Sequence, residues 1–339
     1  MRRDRSGAAA RPLRLAVTLG DANGIGPEIV VRGLAAARGG GVRWIAVGSC
    51  ALAARAARAF ETPTLPEWAP GLGNPRARVS LWDPGGAPSP RVRPGRVAAD
   101  AGRASARWVE AAADACRSGA LDGVVTAPIC KESWARAGVP YPGHTELLAA
   151  RAGRRRFAML LMGGGLRVVL ATRHLPLREV PDRLDRRKLA ATIRLAWESL
   201  DWLGCAGGAV AVCGLNPHAG DGGLLGDEER RIIAPAIAAA RRAGARVVGP
   251  VPGDIAFHQA AAGAYAAVVA MYHDQGLAPL KLAAFETGVN LTLGLPWVRT
   301  SPDHGTAFDR AWRGDADPRS LQAALDWAVR LARRKNPWR

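Results

Sequence analysis

Residues 13–47 read LRLAVTLGDANGIGPEIVVRGLAAARGGGVRWIAV, and this stretch decides the fold. Leu13–Leu19 is a short β-rich apolar run, Pro27–Ala37 has the composition and length of a helix, and Val42–Val47 is a second strand. At the turn, Gly24 and Gly26 permit tight backbone, Pro27 suits the first helical position, and Glu28 complements the positive end of the helix. Strand, glycine-rich turn, helix and strand make a βαβ unit. The glycine spacing is not the GxGxxG dinucleotide fingerprint. An ordinary strand-to-helix turn therefore explains it as well as a ligand cradle does.

The alternation continues to the far end of the chain. Strands are expected at Leu121–Val125, Phe157–Leu161, Leu166–Ala171, Ala209–Leu215, Ala266–Met271 and Val289–Leu293. Helices are expected at Ala51–Phe60, Asp100–Ser118, Asp185–Leu203, Glu228–Ala243 and Pro318–Arg333. Such spacing implies an α/β sheet covered on both faces. The Pro/Gly-rich stretch 63–94 breaks the rhythm and reads as loops around a short strand near Val79–Trp82. At 339 residues the chain suits two domains, and with no linker in sight these are expected to be discontinuous.

Composition removes several classes of function. With 48% hydrophobic and 22% charged residues the chain can build a core and is not of disordered type. No apolar run approaches the ~20 residues of a membrane span. The N-terminus, MRRDRSGAAARPLR, passes straight into a strand rather than a signal-peptide core, so residues 1–11 are expected to form a loose tail and the location to be cytoplasmic. Five cysteines are scattered without a CxxC pair, three of them inside or beside apolar runs as suits small buried side chains in a reducing compartment, and nothing supports a catalytic thiol. The net charge of +18 would ordinarily suggest nucleic acid, but the arginines form no stripe and aromatics make up only 6%. Compositional bias accounts for the charge, and no nucleic-acid partner is expected. Only Lys131, Lys188, Lys281 and Lys335 among the 47 basic residues are lysines. Arg cannot give up its proton whereas Lys can titrate, so a retained Lys hints that the amine matters.

The chemistry starts with the histidines, of which there are six. His174, His218 and His273 each follow the carboxyl end of an expected strand, which is where open α/β sheets bind ligands. Three imidazoles so placed can converge as metal ligands and leave a coordination position open. Asp274 would add a carboxylate or a supporting hydrogen bond. Taken one at a time, each is more simply a loop histidine, and the shared position is what favours a metal. In PGHTELLAA, Thr145 is expected to cap a helix whose free N–H groups beside His144 suit an anion, although an ordinary helix start reads the same way. Residues 280–305 are polar where a buried strand should be plain. There Lys281, Asn290 and Arg299 punctuate apolar runs, and the two cations suit a phosphate or carboxylate if they are not merely structural ion pairs.

These residues resemble a known family. GDANGIGPEI (20–29), VTAPICKE (125–132), GHTELLA (143–149), ATRHLPLREV (171–180), CGLNPHAGDGG (213–223), MYHDQGLAPLK (271–281), GVNLTLGLP (288–296) and RTSPDHGTAFD (299–309) together are similar to the 4-hydroxythreonine-4-phosphate dehydrogenases of pyridoxal-phosphate biosynthesis. Two departures are DANG, where members usually carry a Pro, and SPDHG, where Val usually precedes the Asp. The resemblance implies a two-domain α/β architecture like the isocitrate and isopropylmalate dehydrogenases, with the active-site cleft between domains. On that pattern residues 1–148 with 300–339 form one domain and 149–299 the other, carrying the metal ligands and the dimer interface. It implies one divalent metal (zinc, magnesium or cobalt) on His174, His218 and His273, shared across a homodimer. His144, Thr145, Lys281, Asn290 and Arg299 would contact the phosphorylated substrate.

The implied reaction is NAD- or NADP-linked oxidation of 4-phosphooxy-L-threonine to 2-amino-3-oxo-4-phosphooxybutanoate, which decarboxylates to 3-amino-2-oxopropyl phosphate. Threonate or erythronate 4-phosphate is the alternative substrate. Lys281, or a water held by Asp254 or Asp274, would serve as base. No residue is assigned to the nicotinamide cofactor, and His258 is read as structural. Two other classes compete: a zinc hydrolase that uses the same histidines without a nicotinamide, and a basic nucleic-acid-binding protein with steeply salt-dependent affinity.

Overall fold

The computed structural model describes residues 11–37 and 40–339. The expected tail lies outside these residues except for Arg11, which forms an ion pair with Asp122 at 2.6 Å. The strands are β1 (Leu13–Thr18), β2 (Val42–Val47), β3 (Val79–Trp82), β4 (Gly123–Thr126), β5 (Ala158–Gly163), β6 (Leu166–Leu170), β7 (Val210–Cys213), β8 (Val247–Val251), β9 (Ala267–Ala270), β10 (Val289–Leu293) and β11 (Val298–Pro302). The helices are α1 (Gly26–Ala36), α2 (Cys50–Ala59), α3 (Ala99–Arg117), α4 (Lys131–Arg136), α5 (His144–Arg151), α6 (Val180–Arg183), α7 (Arg186–Glu198), α8 (Leu200–Leu203), α9 (Ala234–Arg242), α10 (Gly253–Ala261), α11 (His273–Ala284) and α12 (Arg319–Ala332).

All eleven strands join one sheet in the order β3-β2-β1-β4-β11-β10-β5-β6-β9-β7-β8. The 13–47 unit pairs in parallel as expected, with Leu13 opposite Val42. The sheet is mixed because β10 runs antiparallel to both β11 and β5, and β5 runs antiparallel to β6. Burial on two faces shows in the alternation along β6, β7 and β9. Val168, Ala211 and Val268 enter one apolar cluster while Val169, Val212 and Val269 enter the other. Period-two alternation sends neighbours to opposite faces, and here both faces are covered by helices.

Two strands and four helices, among them the four-residue α6, were not expected from sequence. In β11 the run Arg299–Thr300–Ser301 hides the strand from a hydrophobicity reading, and in β8 Gly249 and Pro250 do the same. Helix α11 carries Pro279 inside it and Gly276 on its buried face, and α4 and α10 are short. The expected helix 185–203 is divided into α7 and α8, with Asp185 accepting the N–H of Lys188 at 2.7 Å as an N-cap. The expected helix 228–243 opens with a wide π turn, Glu229–Ile233, before α9.

The glycine-rich turn of the opening stretch serves as a structural junction. Asn23 donates to the Arg96 carbonyl and accepts from the Arg93 N–H, while Gly24 abuts Thr306 so closely that a Cβ would lie 2.9 Å from it. Glu28, buried, accepts the N–H of Ala316 at 2.9 Å. The turn therefore ties the first strand to two distant loops.

Candidate active site

A cavity of about 440 Å³ lies over the middle of the sheet, where β4, β11, β10 and β5 are neighbours. Thr126 from β4, Met159 and Leu161 from β5, Asn290 from β10 and Arg299 and Ser301 from β11 contribute to it. Helices α4, α5 and α11 add Lys131, His144, Thr145, Glu146, His273 and Lys281. The loop after β6 brings Arg173 and His174, and the loop after β11 brings Asp303 and His304. All five residues expected to hold the phosphorylated substrate thus line one space.

Arg299 is the unusual member. Its side chain is 2% exposed, and its guanidinium donates only to hydroxyls: to Thr126 Oγ1 at 3.2 and 2.7 Å and to Thr292 Oγ1 at 3.0 Å. Among the described residues no carboxylate forms an ion pair with it. Burial pushes the guanidinium down from its ordinary value to about 10, opposed in part by Glu146, and it remains a cation at neutral pH. A buried cation without a counter-ion is costly, so a cavity built around one is suited to an anion.

The neighbouring polar atoms have the same character. His144 Nε2 and Asn290 Oδ1 are buried and have no hydrogen-bond partner. The His144 ring packs edge-on against Trp134, with centroids 5.6 Å apart. Burial, then Arg299 and Lys131, hold this imidazole well below the ordinary histidine value, so it is neutral at pH 7. Thr145 does not cap the helix. The N-cap is Gly143, no side chain caps α5, and Thr145 is buried in the first turn. Lys281 Nζ donates to the Asp303 carbonyl at 2.6 Å and lies 2.7 Å from Asp303 Oδ2 in an ion pair. Lys281 therefore reaches the cavity already neutralised in part by a neighbour.

The three metal-ligand candidates divide. His174 and His273 are side by side in this cavity with ring centroids 5.4 Å apart. His174 Nδ1 is 3.5 Å from Lys131 Nζ, and His273 Nδ1 is 2.7 Å from Asp274 Oδ1, which leaves each Nε2 free. His218 lines a different cavity with Asp254, Tyr272 and Gln275, on the other side of the α11 N-terminus. Among the described residues no three His, Cys, Asp or Glu side chains in one chain are placed to hold a metal ion. Convergence of all three histidines within a single chain does not occur. Two imidazoles with free nitrogens, one backed by a carboxylate, nevertheless suit a divalent ion that takes its remaining ligands from elsewhere. Of the three candidate bases, Lys281 lines the main cavity, Asp274 touches it through His273, and Asp254 lies in the other. His258 is exposed on α10 and lines neither.

Several residues were not anticipated as site members. Thr126 and Thr292 hold Arg299, Glu146 pairs with Arg173 at 3.2 Å, and Asp303 holds Lys281. Lys131 carried a signal, since two of the four lysines line this cavity. Burial raises the Cys50 thiol to about 11 and the Cys213 thiol to about 12, which leaves neither a ready nucleophile.

Comparison with known proteins identifies the family. The model of the family described as pyridoxal phosphate biosynthetic protein PdxA matches residues 42–328. A 4-hydroxythreonine-4-phosphate dehydrogenase of Beijerinckia indica subsp. indica is 47% identical over 326 residues, covering 94% of each chain. A D-threonate 4-phosphate dehydrogenase of Pectobacterium atrosepticum is 41% identical, covering 94% of this chain and 99% of its own. Among solved structures, a 4-hydroxythreonine-4-phosphate dehydrogenase from Klebsiella pneumoniae superposes with a TM-score of 0.84 at 41% identity, covering 95% of this chain and 100% of that one.

Proposed function

We propose that this chain, which belongs to the PdxA family of pyridoxal phosphate biosynthetic proteins, is a nicotinamide-dependent dehydrogenase of 4-phosphooxy-L-threonine. The observation that carries the reading is Arg299, a buried cation with hydroxyl partners only, facing a cavity that also presents unpartnered atoms of His144 and Asn290. The substrate phosphate supplies the missing counter-ion. Thr145 and the free N–H groups at the start of α5 lie beside the same space.

In the reaction, a base takes the proton of the C3 hydroxyl as the C3 hydride passes to the nicotinamide ring, which leaves 2-amino-3-oxo-4-phosphooxybutanoate. That β-keto acid loses carbon dioxide to give 3-amino-2-oxopropyl phosphate. His174 and His273 of one protomer, with His218 of a second, would hold a divalent metal such as zinc, magnesium or cobalt. A metal there supplies Lewis acidity that eases ionisation of the hydroxyl. Lys281 is the base best placed by its position in the cavity, with Asp303 fixing its amine. Asp274 orients the His273 ring, and Asp254 would approach with the partner's His218.

Large apolar side chains left exposed on α11, at its C-cap and in the loop bearing His218 support a homodimer. Leu282 is 93%, Phe285 74% and Leu224 83% exposed. On this reading β3-β2-β1-β4 would belong to one domain and β10-β5-β6-β9-β7-β8 to the other, with the boundary at 299/300 falling within β11 beside the site. No helix of the described residues is long and apolar enough to cross a membrane, in keeping with a cytoplasmic enzyme. The relatives named for D-threonate 4-phosphate support a second reading, in which a hydroxyl replaces the substrate's amino group. Reduction of NAD and NADP, followed with 4-phosphooxy-L-threonine, threonate 4-phosphate and erythronate 4-phosphate after metal stripping and add-back, tests both. Turnover is expected to be fastest with 4-phosphooxy-L-threonine. A clear preference for threonate 4-phosphate would replace the first reading with the second.

A further inference from the structure

We infer that Glu229 is a positioning residue that fixes the aim of His218, by bracing a left-handed turn from which that imidazole is presented to a second copy of the chain. The inference rests on His218 being a metal ligand. Residues 218–222 all have positive φ: His218 52°, Ala219 55°, Gly220 84°, Asp221 43° and Gly222 68°. For the three that are not glycine this conformation crowds Cβ against backbone, and five in succession persist only where their surroundings over-determine them.

Glu229 supplies the constraint. It is 6% exposed, and its Oε1 accepts the N–H groups of Leu215 at 2.7 Å and Asn216 at 2.8 Å. Its Oε2 accepts from Asn216 Nδ2 at 2.9 Å, and the same Nδ2 donates to Glu228 Oε2 at 2.7 Å. The loop is wrapped tightly on these groups. A Cβ on Gly220 would lie 2.7 Å from Glu229 Oε2, and one on Gly226 would lie 2.5 Å from Asn216 Nδ2. The wide π turn at Glu229–Ile233, a form that recurs at functional sites, is where the helix delivers this carboxylate. His218 is exposed at the outer end of the arrangement, while Glu229 lines neither cavity. No Lys or Arg of the described residues forms an ion pair with Glu229, so its carboxylate serves the loop.

The test is Glu229→Gln. Gln keeps the shape but turns an NH2 toward the Asn216 amide, and that amide cannot reverse because Glu228 accepts from it. Zinc affinity of the full-length protein is measured by competition with a chromophoric chelator, with His218→Ala as reference, and metal-free melting temperatures are recorded alongside. Glu229→Gln is expected to weaken zinc binding about 10- to 100-fold, as loss of a supporting partner does elsewhere, with the metal-free melting temperature close to wild type. Should that variant not fold, Asn216→Ala removes the amide link alone and is expected to weaken binding in the same direction. Zinc affinity within about twofold of wild type in a folded variant would overturn the positioning role. Wild-type affinity in His218→Ala would overturn the metal assignment itself, and with it the premise.

Discussion

Replacing Arg299 by Met separates its binding role from a role in folding. The depression from the ordinary guanidinium value to about 10 corresponds to on the order of 3 kcal/mol that the fold spends keeping this guanidinium charged without an ion-paired carboxylate. Met removes that term and fills much of the same volume. Against it, the hydroxyls of Thr126 and Thr292 lose their donor, at about 1 kcal/mol each. The two nearly cancel, so the ligand-free variant should melt within about 2 °C of wild type or slightly above it. Binding should respond very differently. Losing one partner of a buried, charge-assisted pair costs about 2–5 kcal/mol, which is roughly 30-fold to several thousand-fold in KM for the phosphorylated substrate. Thermal stabilisation by inorganic phosphate should disappear in the same variant. Melting curves with and without phosphate, together with steady-state KM, read both effects. If Arg299→Met unfolds or loses several kcal/mol while KM stays within about threefold, the residue is a structural tie and the anion-site reasoning fails.

Three further outcomes follow from the geometry. His174→Ala and His218→Ala should each be inactive, but mixing and reassembling the two should recover about one quarter of wild-type activity, since half the dimers would be mixed with one intact site each; no recovery would place all ligands in one protomer. Chelator treatment should abolish nicotinamide reduction, and add-back of zinc, cobalt or magnesium should restore it, whereas full activity in metal-stripped protein would remove the metal from the reaction. His144 titrates well below 6.5 in the fold, through burial and then Arg299 and Lys131. The unfolded chain therefore takes up a proton near 6.5 that the native state refuses, and the stability present above that pH is lost as pH falls below it toward the folded value. Chemical denaturation from pH 7.5 to 5 should show that loss in wild type and a flatter profile in His144→Phe.

What could be read in the sequence, and what could not, follows from the physics of each residue. The βαβ alternation was legible because both faces of the sheet are buried and the strands are plain apolar runs. β11 was not, since Arg299, Thr300 and Ser301 look like loop until their partners are known. Helix α11 was obscured by Gly276 and Pro279, although the glycine is needed there because a Cβ would meet Val168 at 2.8 Å. The histidines stood out because the chain has only six. Thr126 and Thr292 did not, since threonine in a strand reads as a β-former whether or not its hydroxyl holds an arginine. His218 stands on a left-handed turn braced by a carboxylate eleven positions downstream, and no local pattern announces such a turn.

The charge of the chain shows why composition and site must be weighed separately. Forty-seven basic residues make any single arginine uninformative, and most of those in ion pairs here are well exposed, where a pair is worth little. A compositional pressure toward arginine acts freely at such positions because exposure costs nothing. It cannot account for Arg299, because a guanidinium 2% exposed with no ion-paired carboxylate among the described residues opposes folding and would be lost unless something else retained it. Lysine makes the complementary case: in a chain that uses arginine almost everywhere, two of its four lysines face the same cavity as that arginine. On the proposed reading, the cations that would carry function are those placed where bias alone would not have put them, and they line the same cavity as His174 and His273.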